Sequence, residues 1–193
     1  LNHLRGMFAF AIWDTNKQRV FLARDRLGQK PLFYRVTDDA FWFGSSIKTI
    51  LADEAVKPAP DYDALGSYLQ YQYVPAPHTG FADIRQLEPA EYIMVTEDGV
   101  DRGKYWDLSF AEKFSGSPDH VAGLLRDELR ESTRLRMRSD VPLGVFLSGG
   151  IDSSIVTALM SDLSESPINT YSIGFGEAEY DELDFAEEVA ETY

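Results

Sequence analysis

Residues 141–160 read VPLGVFLSGGIDSSIVTALM: two apolar runs separated by two glycines, three serines and one aspartate. The left-hand run, residues 144–147, is short, β-prone and bounded by Pro142, so it reads as a buried strand. The right-hand run, residues 154–160, spaces apolar side chains as a helix does, behind a Ser/Asp-rich start. Strand, tight glycine turn and helix in succession make an anion site. The first helical amides lack internal partners, and the helix dipole adds partial positive charge there.

The loop chemistry fits that geometry. Gly149 and Gly150 lack a Cβ, so their amides can approach phosphate oxygens in turns closed to other residues. Ser148, Ser153 and Ser154 offer hydroxyls. Asp152 would repel a bare polyphosphate, which makes sense if Mg²⁺ sits between them. The plainer reading is a turn in which Asp152 and the serines cap the helix; the complete string favours phosphate.

Outward from this segment the chain changes style. Its first half is a run of strands. Residues 6–13 are apolar on both alternating faces, which predicts burial on both sides. Residues 14–17 turn, and residues 19–23 return as the partner strand. RDRLGQKP, residues 24–31, reads as a polar loop, with Arg24 and Arg26 either at a domain interface or paired with acids in solvent. Residues 32–36 and 40–43 predict a second hairpin, and residues 47–51 a short helix. Residues 61–72 predict an amphipathic helix capped by Asp61, with Leu65, Tyr68, Leu69 and Gln72 on one face. Residues 91–96 and 100–106 flank a third hairpin turn. Periodicity is lost over residues 109–120, where the domain linker is placed.

Ser117 and Pro118 then start a long helix to about residue 138, with Val121, Leu124, Leu125 and Leu129 as its buried stripe. Residues 169–174 read as a second strand and residues 185–193 as another helix. Strands alternating with helices imply a parallel sheet.

The formal charge of −14 argues against a nucleic-acid surface, although a locally positive nucleotide pocket remains compatible with it. Cysteine is absent, which excludes disulfides and thiolate metal sites. The apolar stretch at residues 7–13 is too short to span a bilayer and no signal-cleavage pattern follows, so a cytoplasmic location is expected. The chain starts at Leu1 within a β pattern and stops at Tyr193 within a helical one, and is expected to be an interior piece of a longer protein.

The string S-G-G-x-D-S-S resembles the pyrophosphate loop of the ATP-pyrophosphatase superfamily, whose members cleave ATP to AMP and pyrophosphate while adenylating an oxygen. Taken in order with LRGMFAFAIWD, FLARDRLGQKPLFY, FGSSIKTIL and SIGFGEAEYDELDFAEEVAE, it makes nearly the whole chain resemble the glutamine-hydrolysing asparagine synthetase family. The resemblance implies an α+β fold of Ntn-hydrolase-like stacked sheets over residues 1–108, the C-terminal part of a class II glutamine amidotransferase domain. Over residues 117–193 it implies the start of an α/β parallel-sheet ATP-pyrophosphatase domain. In that family the first domain releases ammonia from glutamine, and a tunnel carries it to the second. There β-aspartyl-AMP forms and ammonia displaces AMP, giving asparagine, glutamate, AMP and pyrophosphate.

The resemblance further implies that Ser148, Gly149, Gly150, Ser153 and Ser154 hold the departing phosphates and that Asp152 ligates Mg²⁺. The backbone around Phe146 and Leu147, with Ile173 on the next strand, would line the adenosine site of the ATP. The partners implied are small molecules: ATP, aspartate or a related carboxylate, and glutamine through a preceding part of the family's chain. Neither nucleic acid nor membrane is implied, and a homodimer is the assembly to test.

The family's nucleophile is an N-terminal cysteine, which this sequence lacks. Its glutamine-binding motifs precede the matched region, and its catalytic Glu and Lys follow it. The 193 residues alone are therefore expected to be inactive, with no complete catalytic set. Other readings are a related amidotransferase acting on a different carboxylate, as in polysaccharide or β-lactam-precursor synthesis, and a non-catalytic nucleotide-binding module. Glu177, Glu179, Asp181, Glu182 and Asp184 form an acidic segment after the second strand, read either as a ligand site or as an ordinary acidic helix start. His3, His78 and His120 show no ligand spacing, and the basic run at residues 134–138 suits a helix C-terminus.

Overall fold

In the computed structural model, which describes residues 1–177 and 181–193, the first hairpin forms where Asp14 turns the chain back. Its Oδ1 accepts the amides of Asn16 and Lys17, both at 3.1 Å. The hairpin joins β1 (Ala9–Asp14) to β2 (Arg19–Arg24), and β6 (Glu91–Thr96) and β7 (Gly99–Lys104) complete an antiparallel sheet in the order β1-β2-β6-β7. A second antiparallel sheet has the order β4-β3-β5, with β3 (Phe33–Val36) central between β4 (Phe41–Gly44) and β5 (Arg85–Gln86). The fold of this unit, Leu1–Phe110, is mixed α+β with antiparallel sheets.

Strand alternation explains how the two sheets stack. Leu22 of β2 stands opposite Ile93 of β6, and both meet Leu32, Tyr34 and Leu87 in a core from which Leu22, Ile93 and Leu87 show no exposed surface. Phe33 and Trp42 point the other way and pack with Ile50 of α1 (Ile47–Leu51), Val56 and Ile84. Arg102 of β7 reaches across to donate to the Tyr34 hydroxyl at 3.3 Å.

Several expectations of burial fail here for one reason: burial depends on neighbours that a local pattern cannot name. β1 is an edge strand, and Ile12 and Trp13 are more than half exposed rather than buried on both sides. α2 (Tyr62–Tyr71) forms as the Asp61 cap predicts, with Oδ1 accepting the Ala64 amide at 3.0 Å. Its apolar stripe is open, however: Leu65, Tyr68 and Leu69 are exposed, Leu69 at 84%.

The RDRLGQKP segment is solvated at Leu27, Gln29, Lys30 and Pro31, which are exposed, but not at its start. Arg24 and Asp25 are buried, the latter 1% exposed. The Arg24 guanidinium donates to the carbonyls of Lys30, Leu87 and Gly28. Asp25 accepts the amides of Leu27, Gln29 and Lys30 at 3.2, 3.0 and 2.9 Å. Burial alone would raise the Asp25 carboxyl; these amides outweigh it and hold the group below the usual carboxylate range. Arg26 donates outward, to the Leu4 carbonyl at 2.7 Å.

The second unit, Ala111–Tyr193, begins with α3 (Pro118–Arg136), where Ser117 accepts the His120 amide at 3.3 Å and Pro118 occupies the first turn. Its expected buried stripe is open at Val121, Leu124 and Leu125, which are exposed, while Leu129 is half-buried and Thr133 buried. Arg134 pairs with Glu131 and Arg136 donates to the Ser132 carbonyl, so the basic end serves the helix itself. β8 (Gly144–Phe146) runs parallel to β9 (Asn169–Tyr171), joined through α4 (Ile151–Leu163), and α5 (Leu183–Thr192) follows. β8 has β9 as its one strand neighbour among the described residues, so it is open where a buried strand was expected. β9 ends at Tyr171, three residues short of the expected strand. Among the described residues no helix is long and apolar enough to cross a membrane.

Candidate functional site

The loop at residues 148–154 leaves the C-terminal end of β8 and runs directly into α4. Its base is fixed on both sides. The Leu147 amide donates to the Tyr171 carbonyl at 2.9 Å, and Ser172 Oγ donates to the Leu147 carbonyl at 2.6 Å, extending the pairing past the strand ends. Leu147 is 2% exposed, which anchors the chain one residue before the turn.

The two glycines do different work. Gly149 has φ +77, a left-handed conformation that favours glycine. A Cβ there would lie 2.4 Å from Phe185 Cβ and 2.8 Å from the Ala186 nitrogen, so the missing side chain lets α5 press against the turn. Gly150, in extended conformation, is the N-cap of α4 and supplies no side-chain cap. Neither Asp152 nor a serine caps this helix, contrary to the plainer of the two readings of the motif.

Instead the serine hydroxyls brace the turn. Ser153 Oγ accepts the Ser148 amide at 3.3 Å, lies 3.1 Å from Ser148 Oγ and donates to the Gly150 carbonyl at 3.1 Å. Ser154 Oγ also donates to that carbonyl, at 2.8 Å, and the Gly150 amide reaches Ser148 Oγ at 3.4 Å. The first amide of α4 with a helical partner is that of Ser154, bonded to the Gly150 carbonyl at 3.0 Å. Among the described residues the amides of Ile151, Asp152 and Ser153 have no protein acceptor. Three donors are thus left over at the positive end of a helix of 13 residues, the arrangement that can hold an anion.

Beside the loop lies an open pocket of about 310 Å³, lined by Phe146, Leu147, Ser148, Ile173, Phe175 and Glu182 together with Tyr171 and Ser172. The structure therefore brings the expected adenosine-lining residues Phe146, Leu147 and Ile173 to one cavity that Ser148 shares. Phe146 presents its ring there, 79% exposed. Sequence reasoning missed Tyr171, Ser172 and Phe175; the signal was their position, since ligands bind beyond the C-terminal ends of parallel strands.

The cation expected at Asp152 has a test in the donor set. Among the described residues no three His, Cys, Asp or Glu side chains gather for a metal. Asp152 stands in the first turn of α4 and offers a single carboxylate. That suits Mg²⁺, which keeps several waters and binds through one or two carboxylates plus phosphate oxygens. Of the acidic segment, Glu182 lines the pocket, Asp181 accepts the Leu183 amide at 3.3 Å, and Glu179 lies outside the described residues. His78 sits 3.6 Å from Asp61, with Arg85 donating to its ring at 2.9 Å.

A glutamine amidotransferase domain family matches residues 1–106, and an asparagine synthase family matches residues 124–193. Asparagine synthetase [glutamine-hydrolyzing] 3 of Bacillus subtilis is 38% identical over 92% of this chain and 30% of its own length. Asparagine synthetase [glutamine-hydrolyzing] 1 of the same organism is 36% identical over 97% of this chain and 29% of its own. Amidase chry2 of Gibberella zeae is 35% identical over 84% of this chain and 24% of its own. The chain thus spans about 30% of the length of the two synthetases. Among solved structures, the Bacillus subtilis glutamine phosphoribosylpyrophosphate amidotransferase complexed with ADP and GMP is 19% identical, at a TM-score of 0.34, over 89% of this chain and 33% of that one.

Proposed function

Because this chain belongs to the glutamine-hydrolysing asparagine synthetase family, with the amidotransferase match over residues 1–106, we propose that it forms part of an enzyme making asparagine from aspartate, glutamine and ATP. Residues 1–108 are the C-terminal part of the amidotransferase domain, and residues 117–193 begin an ATP-pyrophosphatase-type synthetase domain. One observation carries the reading: three amides at the start of α4 that have no acceptor among the described residues, beside a pocket lined by Phe146, Leu147 and Ile173.

The chain's own contribution is binding and electrostatic. The amides of Ile151, Asp152 and Ser153, on the turn at Gly149 and Gly150, hold the β,γ-phosphates of ATP, while the hydroxyls of Ser148, Ser153 and Ser154 brace that turn and reach phosphate only by giving up those bonds. Negative charge grows on those oxygens as pyrophosphate leaves, and donors already in place need no reorganisation to meet it. Asp152 is the protein ligand for Mg²⁺, which, when bound, neutralises phosphate charge. Phe146 and Ile173 flank the base. The family's glutaminase nucleophile is a cysteine and these 193 residues contain none, so alone they neither hydrolyse glutamine nor form the amide. The working location is cytoplasmic.

Calorimetric titration with Mg-ATP tests this reading. The wild-type chain binds, and Asp152→Ala weakens binding by about tenfold, the worth of one charge-assisted contact. Equal affinity in the two proteins would remove the metal role, and no binding by either would remove the nucleotide site. A different acceptor carboxylate is the second reading, favoured by the 35% identity to a protein named as an amidase.

A further inference from the structure

The pocket beside the loop contains one charged side chain, Glu182, among otherwise uncharged lining residues. Glu182 is the N-cap residue of α5, yet its side chain caps nothing: it makes no hydrogen bond to the helix amides. Its carbonyl accepts the Ala186 amide at 3.1 Å, and Ala186 and Phe185 are the residues that press against Gly149. Glu182 therefore stands one helical turn from the phosphate loop. A carboxylate accepts hydrogen bonds and cannot donate them when ionised. It repels bare phosphate, and a role in holding Mg²⁺ on the phosphates would show as a parallel loss of pyrophosphate affinity.

A ligand anchored by its terminal phosphates on residues 148–154 places its sugar next along the cavity and its base beyond. The uncharged donors nearest the phosphates are then sugar hydroxyls. Resting on the nucleotide reading above, we infer that Glu182 is a specificity-determining residue that accepts hydrogen bonds from the ribose hydroxyls of the bound nucleotide. An acidic side chain is suited to that task because the bond to a charged acceptor is the stronger kind, and a site built for a hydroxyl discriminates against ligands that lack it. The pocket selects a ribonucleotide over its deoxy counterpart, with Phe146 and Ile173 left to contact the base.

The test is calorimetry on the wild-type chain and Glu182→Ala with four Mg²⁺-bound ligands: ATP, 2′-deoxy-ATP, 3′-deoxy-ATP and inorganic pyrophosphate. Glu182→Ala weakens ATP by about tenfold and weakens at least one deoxy analogue by less than about twofold, because the partner hydroxyl is already gone. Pyrophosphate affinity stays unchanged, which shows that the variant keeps its loop. Equal losses for ATP and both deoxy analogues, an unchanged ATP affinity, or a parallel loss for pyrophosphate would each overturn the assignment while leaving the phosphate site standing. A wild-type chain that binds neither ATP nor pyrophosphate would overturn the parent reading and this one together.

Discussion

In the first unit, the polar string at residues 24–30 is closed upon itself: Arg24 is bonded to three carbonyls, and Asp25 to three amides. In the second unit, the polar string at residues 148–154 braces its own turn through serine hydroxyls but leaves the amides of Ile151, Asp152 and Ser153 without an acceptor among the described residues. The two strings are equal in length, each contains glycine and an aspartate, and both precede an apolar run. Their difference lies in accounting for each donor. Where every polar group is satisfied within the protein the segment is scaffold, and where donors converge unspent on open space it is a binding site.

The largest effect that separates the two is on stability. Asp25→Ala leaves three amides of a buried turn without their acceptor and costs about 3 kcal/mol in urea unfolding of the first unit. The Mg-ATP affinity of the same variant stays as in the wild type. A loss of nucleotide binding would show that the first string is not mere scaffold.

Gly149→Ala is next. It forces a Cβ into the left-handed region and against Phe185, so it costs about 2 kcal/mol and is read as faster hydrogen exchange along α5. It also weakens Mg-ATP, since the turn that aims the free amides is displaced. Unchanged exchange and binding would mean that the turn tolerates a side chain and that the glycine is incidental.

The smallest effect is a slope. The folded Asp25 carboxyl is held below its unfolded value, so its contribution to stability is complete above the unfolded pKa, about 4, and is lost as pH falls through the folded one. Asp25→Asn therefore flattens the acid limb of the stability profile relative to the wild type. Nothing in that variant alters the pH dependence of nucleotide binding.

What the sequence made legible was local. The Asp14 turn, the Asp61 cap, the Ser117-Pro118 start and the helix over residues 47–51 all depend on side chains reaching backbone a few residues away. The order of strand, glycine turn and helix at residues 144–163 was legible for the same reason. Burial was not, because it is set by distant partners. The stripes on α2 and α3 have helical spacing yet remain open, and β1 and β8 are apolar strands at sheet edges. Arg24 and Asp25 look like solvent-loving residues until the carbonyl of Leu87, 63 positions away, is seen to receive the guanidinium. At the site, the loop was legible and the pocket only partly so, since Phe175 and Glu182 reach it by chain geometry rather than by motif.

The central claim is that the open amides of α4 are there for phosphate. Amide NMR titration of the full chain with Mg-pyrophosphate measures it most directly. The account predicts that the resonances of Ile151, Asp152 and Ser153 move most and saturate together, while those of Leu27, Gln29 and Lys30 stay still. Saturable shifts confined to other residues, with the three amides unmoved, would contradict it.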